Sequence, residues 1–144
     1  MKIAFDLDGT LDRKVLAELC RVLLLAEHEV FIITGVFPEA AGWQDGAAKC
    51  EKLKRLGIPF TEYKELDPIY PTPSDEVGLA RLYVLNAVPS TFTRDYRLVD
   101  LGLRKGALCE RLGAQMIFDD SSTYCEMVPK MSGDTLVLKV GEGK

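Results

Sequence analysis

The feature that most constrains the fold is an alternation of short apolar stretches with longer amphipathic ones along the chain. Apolar, β-branched runs of about 4–8 residues are typical of strands that are buried on both faces of a sheet. Apolar residues at helical spacing indicate amphipathic helices between these strands. The alternation predicts an α/β protein with a three-layer, doubly wound, Rossmann-like fold, in which helices cover both faces of a mostly parallel sheet.

The predicted elements follow from this pattern and from the glycines and prolines that interrupt it. Strands are predicted over residues 2–5, 30–33, 58–63, 82–88, 116–118 and 135–140. Helices are predicted over residues 12–27 with Asp12 near the start, 43–57, 101–112 and 124–131. A chain of 144 residues, 47% of them hydrophobic, is long enough for one buried core, so we expect a single domain over residues 1–144.

Composition excludes several classes of partner. The chain has 18 Lys and Arg against 22 Asp and Glu, a net charge of −4, so no overall positive field attracts nucleic acid or anionic lipid. Nucleic acid is therefore expected only as a substrate. The four cysteines form no CxxC pair and lie in apolar stretches, which indicates reduced thiols. No apolar run is long enough to cross a bilayer, so we expect a cytoplasmic protein without a membrane partner.

Acidic residues follow two of the predicted strands. Asp6 and Asp119 come directly after apolar runs, and Thr34 ends another. Because parallel strands place their carboxyl ends at one edge of the sheet, these side chains should meet there. Each of the two acids begins a pair, with Asp8 or with Asp120. Crowded carboxylates repel one another unless a hard cation neutralises them, so the sequence predicts a Mg²⁺ site, and Mg²⁺ commonly bridges carboxylates and a substrate phosphate.

Four short motifs carry a resemblance to a known family. Residues 5–11 read FDLDGTL, residues 32–35 read IITG, Lys105 precedes Gly106, and residues 117–121 read IFDDS. In this order they resemble the four signature motifs of the haloacid dehalogenase superfamily of phosphohydrolases. Residues 36–100 add no further match. The resemblance implies a Mg²⁺-dependent phosphomonoester hydrolase.

The resemblance also implies a role for each acidic residue. Asp6 would be the nucleophile that forms an aspartyl phosphate. Asp8 would protonate the leaving oxygen and then take a proton from the water that hydrolyses the intermediate. Because dehalogenases of the superfamily lack an acid at this position, Asp8 favours phosphate esters as substrates. The metal ligands would be Asp6, the backbone carbonyl of Asp8, and Asp119, with Asp120 reaching the metal through water or fixing Lys105.

Phosphate binding is assigned in the same way. Thr34 and Gly35, at the end of the second strand, would bind phosphoryl oxygens, with Thr34 donating a hydrogen bond. Lys105 would balance the negative charge of the phosphate and of Asp6. It lies one predicted helix and one predicted strand before Asp119.

Substrate class is less constrained. Because a helix is predicted from Asp12 onwards, the first motif leaves no room for a cap domain, and the stretch between Gly35 and Lys105 is too short for a large one. An uncapped site is open to a macromolecular or nucleotide phosphate, and the alternative is a homo-oligomer whose neighbouring subunit closes the pocket. Loops predicted over 36–46, 68–78 and 89–97 should line the mouth, where Arg94 and Arg97 are candidate ligands for a second phosphate.

Two other functions are compatible with these features. A phospho-accepting receiver domain of a signalling pathway also places acids, a Thr and a Lys around Mg²⁺, but it keeps its acidic pair and its phosphorylated Asp in a different order along the chain. A non-catalytic binding module with the same fold is the other alternative. Histidine-dependent hydrolysis is disfavoured, because the only histidine, His28, lies among charged residues between a helix and a strand.

Overall fold

A computed structural model describes residues 1–36, 46–67 and 96–141 of the chain. In these residues five strands form one sheet in which every neighbouring pair is parallel. The strands are β1 (Lys2–Phe5), β2 (Glu29–Gly35), β3 (Glu62–Leu66), β4 (Met116–Asp119) and β5 (Leu136–Lys139), and their order across the sheet is β3-β2-β1-β4-β5. Along the chain, β2 and β3 are added on one side of β1, and β4 and β5 are then added on its other side.

Four helices flank the sheet within the described residues: α1 (Lys14–Leu25), α2 (Gly46–Leu56), α3 (Tyr96–Leu112) and α4 (Ser122–Met131). One face carries a core in which α1 and α2 pack on Ile3, Phe5, Val30 and Ile32. The opposite face carries a second core in which α3 and α4 pack on Ala4, Phe31, Ile33 and Ile117. The sheet is therefore covered on both sides, and the α/β architecture is compatible with a Rossmann-like fold.

The strand sequences explain the two cores. Successive side chains of a strand point to opposite faces, so a strand covered on both faces must be apolar at every position. In β2 the residues from Val30 to Gly35 are all buried, and Thr34 is the one polar residue among them. None of the helices in the described ranges is both long and apolar enough to cross a membrane.

Two glycines allow α3 and α4 to pack very closely. A side chain at Gly106 would approach the backbone oxygen of Val128 to 2.6 Å, and one at Gly102 would approach Cβ of Met127 to 2.7 Å. Because the two glycines are four residues apart, they lie on the same face of α3. This close approach sets the position and rotation of α3 relative to α4. It thereby positions Lys105, which lies between the two glycines in sequence.

The first predicted helix begins later than expected. A wide turn over Leu7–Leu11 follows β1, and α1 starts at Lys14, after Arg13 in extended conformation. Asp12 does not cap α1: its Oδ2 accepts a hydrogen bond from the Gly9 amide at 2.8 Å. The prediction of a helix from Asp12 was wrong because this aspartate closes the preceding turn instead.

The third strand and the third described helix also differ from the prediction. β3 lies at Glu62–Leu66 rather than over 58–63, because Ile58 enters the core before the chain pairs with β2. α3 begins at Tyr96 rather than at 101, so Arg97 lies in a helix and not in a loop. Buried Val99 and Leu101 are close in sequence and blur the helical periodicity there. The strand predicted over 82–88, most of the three predicted loops, Trp43 and Arg94 lie outside the described residues.

Candidate active site

The site lies at the carboxyl ends of β1 and β4. These neighbouring strands are where the strand order changes direction, and in parallel α/β sheets the crevice at such a point is the usual place for a ligand. The Asp6 amide donates a hydrogen bond to the Phe118 carbonyl at 2.9 Å, which holds the end of β1 against the residue that precedes Asp119. Asp6 and Asp119 are therefore brought together by sheet hydrogen bonds.

We define the inner cluster as Asp6, Lys105, Asp119 and Asp120. One carboxylate oxygen from each of the three aspartates lies within 4.8 Å of the others. The Lys105 ammonium donates to Asp6 Oδ1 at 2.7 Å and to Asp119 Oδ2 at 2.6 Å. The side chains of Lys105, Asp6 and Asp119 are at most 7% exposed. Asp6 and Asp119 thus share one buried ammonium group, and the partly buried Asp120 carboxylate lies beside them.

Lys105 is held in the middle of α3, where the helix faces the sheet. Its ammonium also lies 4.3 Å from the centre of the Tyr124 ring, a cation–π distance. Burial alone would lower the pKa of Lys105, but the charges of Asp119 and Asp6 outweigh it and raise the pKa above its ordinary value. Lys105 therefore remains a cation at neutral pH.

The pKa values of two carboxyl groups of the inner cluster, Asp6 and Asp120, are raised as well. Burial raises the pKa of Asp6 to about 8 against the opposing charge of Lys105, and the charges of Asp119 and Asp120 add to the rise. Burial and the Asp119 charge also raise the pKa of Asp120, whose carboxyl hydrogen-bonds to Asp6. Burial is the largest cause of both rises, and the charges of neighbouring carboxylates add to it.

Gly9 brings the first motif against the fourth. Its φ is +78°, in the left-handed region that glycine adopts without strain. A side chain at this position would collide with the Asp120 carboxylate. Glycine is therefore required both by the turn and by the close approach of Asp120.

We define the outer cluster as Asp8, Asp12, Lys49 and Lys52. Lys49 pairs with Asp8 Oδ2, and Lys52 pairs with Asp8 Oδ1 at 2.6 Å and with Asp12 Oδ1 at 2.8 Å. The side chains of Asp8, Asp12 and Lys52 are 24%, 45% and 19% exposed. Two ammonium groups therefore balance two carboxylates at the rim of the site.

The two clusters line a common pocket of about 290 Å³. Asp6, Asp8 and Asp120 contribute its carboxylates, and Thr34 and Gly35 contribute the end of β2. Thr34 is buried, with 1% of its surface exposed. The remaining lining residues are Gly9, Lys49, Leu98, Ser121 and Tyr124.

The structure brings together the residues that the sequence singled out. Asp6, Asp8, Thr34, Gly35 and Asp120 line the pocket, while Asp119 and Lys105 lie buried against Asp6. Asp8 is the exception in its contacts, because its carboxylate pairs with two lysines that the sequence analysis did not consider. Arg97 lies in α3 and is absent from the pocket lining described.

Sequence reasoning missed Lys49, Lys52 and Tyr124. Lys49 and Lys52 lie three apart and therefore share a face of the helix after the second strand, but solvated lysines commonly show the same spacing. Tyr124 was placed on an apolar helical face, which is correct. Its contact with a buried ammonium depends on the packing of α3 on α4 and has no sequence signal of its own.

The inner cluster fits a divalent cation by the chemistry of its donors. Carboxylate oxygens are the ligands that Mg²⁺ prefers, and three of them converge here. The Asp119 carboxylate is oriented by the Ser121 amide, which donates to its Oδ1 at 2.9 Å. The negative charge that Lys105 leaves uncompensated supplies the electrostatic reason for a cation at this point.

Comparisons of the chain with family models and with curated proteins gave no significant match. The resemblance to the haloacid dehalogenase superfamily therefore depends on the four motifs and stays a prediction.

Proposed function

We propose that the chain is a Mg²⁺-dependent phosphomonoester hydrolase that works through an aspartyl phosphate on Asp6. The observation that carries the proposal is the convergence of Asp6, Asp119 and Asp120 around a single buried lysine. The four motifs that resemble those of haloacid dehalogenase phosphohydrolases support the same function. When bound, Mg²⁺ would neutralise the inner cluster and the oxygens of a phosphoryl group.

Asp6 is the nucleophile in this proposal. Its carboxyl group lines the pocket and is oriented by Lys105. Attack on phosphorus requires the ionised form, which the charge of Lys105 favours and a bound cation would favour further, against the burial that raises its pKa. The attack forms an O–P bond from Asp6 and breaks the ester O–P bond on the opposite side. Hydrolysis of the acyl phosphate then returns Asp6 as a carboxylate and releases inorganic phosphate.

Asp8 is the proposed general acid and base. It lies two residues after the nucleophile, lines the same pocket and remains partly exposed, so it can exchange protons with the leaving alcohol and with water. Acid–base assistance of this kind contributes on the order of 10²–10⁴-fold to the rate.

Thr34 and Lys105 complete the proposed phosphate site. Thr34 lines the pocket at the end of β2, where its hydroxyl can donate to a phosphoryl oxygen. Lys105 offsets charge at Asp6 as the phosphoryl group arrives. Phosphoryl transfer depends mainly on such positioning and charge compensation.

The proposal is tested by phosphate release from an aryl phosphate. We expect release from the wild type with Mg²⁺ and none after chelation. Asp6→Asn should abolish release and Asp8→Asn should slow it by about 10² or more. Asp134→Asn is the matched control, because this exposed aspartate lies in the turn before β5 and outside the pocket lining.

Two outcomes would contradict the assignment. Undiminished turnover by Asp6→Asn would exclude Asp6 as the nucleophile. Stable phosphorylation of the wild type without turnover would favour a phospho-accepting receiver domain, and intact-mass measurement distinguishes the two.

A further inference from the structure

Helix α2 carries three basic residues whose purpose the proposed reaction leaves open. Lys49, Lys52 and Arg55 are spaced three apart, so they form one stripe along the helix. Lys49 and Lys52 hold the two oxygens of Asp8. Arg55 makes no ion pair with any residue that the structure describes, although its charge is felt by Asp12. The stripe thus extends beyond the carboxylates that it balances.

The stripe joins two pockets. The first is the pocket that contains Asp6, and Lys49 lines it. The second has a volume of about 420 Å³, and Lys52 and Arg55 line it together with Asp12, Ala48 and Glu51. Asp8 lines both pockets, so they meet at the proposed general acid.

The position of Asp8 indicates which half of the substrate faces the second pocket. A group that protonates the leaving oxygen must lie beside it, so the alcohol half of the ester leaves the first pocket on the side of Asp8. That side leads to Lys52 and Arg55. Whatever the alcohol carries therefore meets the guanidinium of Arg55, which suits the paired oxygens of a phosphate. Lys52 lies beside it, already paired with Asp8 and Asp12, and the Glu51 carboxylate lines the same pocket.

We propose that Arg55 and Lys52 bind a second phosphate group carried by the alcohol half of the substrate. This inference rests on the proposed function, because the direction of the alcohol follows from the role of Asp8. It narrows the substrate class to phosphomonoesters that carry a further phosphate. The further phosphate can be a second monoester of a small molecule or the first diester of a nucleic-acid end.

The test compares three substrates that share one scissile 5′-phosphate. They are adenosine 5′-monophosphate, adenosine 3′,5′-bisphosphate and the 5′-phosphorylated dinucleotide pApA. For the wild type with Mg²⁺ we expect kcat/KM for 5′-phosphate release to be about tenfold or more higher for at least one of the last two than for the monophosphate. A preference for the bisphosphate alone identifies a small-molecule source, and a preference shared by pApA identifies a nucleic-acid end as an acceptable source.

Variants assign the preference to the stripe. Arg55→Met should reduce the ratio of kcat/KM values to about twofold or less, and Lys52→Met should reduce it in the same direction. Arg55 is exposed and makes no ion pair with described residues, so its replacement leaves the fold intact. Lys54→Met is the matched control: it removes the same charge from the same helix, but Lys54 is exposed and lines a different pocket. This control should keep the wild-type ratio.

Equal kcat/KM for all three substrates in the wild type would overturn the inference while leaving the proposed hydrolase intact. A preference that persists in both Arg55→Met and Lys52→Met would overturn it as well. Failure of the wild type to release phosphate from any substrate, the aryl phosphate included, would instead overturn the proposed function and this inference with it.

Discussion

The inner and outer clusters lie at the same edge of the sheet but differ in burial and in charge balance. In the inner cluster three carboxylates converge and Lys105 pairs with two of them, Asp6 and Asp119, and these three side chains are almost completely buried. In the outer cluster two lysines balance two aspartates, and most of the side chains keep contact with water. The inner cluster therefore retains a demand for positive charge, whereas the outer cluster is neutral without any added ion.

Under the proposed function, this difference separates two tasks of the site. A cation and a nucleophile need a dry site in which charges interact strongly, because the effective dielectric is low there. Proton exchange and recognition of the leaving group need access to water and to a variable substrate. Asp6 and Asp8 are only two residues apart, yet Asp6 pairs with Lys105 in the inner cluster and Asp8 pairs with Lys49 and Lys52 in the outer one.

The largest effect is expected from removing the only cation of the inner cluster. Lys105→Met leaves Asp6 and Asp119 buried without their partner, which should lower the free energy of unfolding by about 3–5 kcal/mol in metal-free buffer. Lys52→Met removes the same charge from the outer cluster and should cost about 1 kcal/mol or less. Urea unfolding of the two variants measures both values. Equal losses would show that the clusters do not differ as their burial indicates.

The next effect concerns the demand for a cation directly. Mg²⁺ at about one hundred times its dissociation constant should raise the free energy of unfolding of the wild type by about 2.7 kcal/mol. Asp119→Asn should lose most of this gain, because one of the converging carboxylates is removed. Asp12→Asn should retain it. Thermal unfolding with Mg²⁺ and with a chelator gives the comparison, and equal stabilisation of the two variants would place the ion elsewhere.

The junction between the clusters is tested at Gly9. Gly9→Ala forces a side chain into the left-handed region and against the Asp120 carboxylate, which should cost about 1–3 kcal/mol. Gly133→Ala is the control, because nothing lies within 4 Å of a side chain at that position and its φ is ordinary. Urea unfolding compares the two. If Gly9→Ala is as mild as the control, the close contact between the first and fourth motifs is not required.

The placement of the inner cluster follows largely from sequence. Asp6 and Asp119 come directly after apolar strands, and a parallel sheet places such residues at one edge whatever the length of the intervening chain. Lys105 was harder, because a lysine in a helix is usually solvated. Its burial depends on Gly102 and Gly106, which let α3 approach α4. The role of the two glycines becomes visible only when the helix that packs on them is known.

The outer cluster was not predicted, for a physical reason. Lys49 and Lys52 contact Asp8 from α2, the helix that follows β2 in the chain. Nothing in their local sequence pattern distinguishes them from solvated lysines of an amphipathic helix. β3 was misplaced for a related reason. Its sequence EYKEL is polar, as suits a strand at the edge of the sheet that the described residues form, while the apolar Ile58 before it enters the core.

The smallest expected effect tests whether the outer cluster is as solvated as its exposure indicates. Burial acts to raise the pKa of Asp12, but hydrogen bonds from Lys52 and the Gly9 amide outweigh it, so the pKa is lowered. A lowered pKa in the folded state stabilises the fold above the unfolded pKa of about 3.9, and this contribution disappears as the pH falls through the folded value. Asp12→Asn keeps an oxygen for the Gly9 amide and loses the charge, so at pH 7 it should cost less than about 1 kcal/mol.

Salt and pH then separate this contribution from that of the inner cluster. Because Asp12 and Lys52 are partly exposed, about 1 M salt should screen their attraction, and the difference between wild type and Asp12→Asn should nearly vanish. The same difference should shrink as the pH falls through the lowered pKa of folded Asp12, because the aspartate is then protonated in both states. Urea unfolding at low and high salt measures it. A cost that survives high salt would show that the outer cluster is as dry as the inner one, and the division between a sealed site and an open rim would no longer hold.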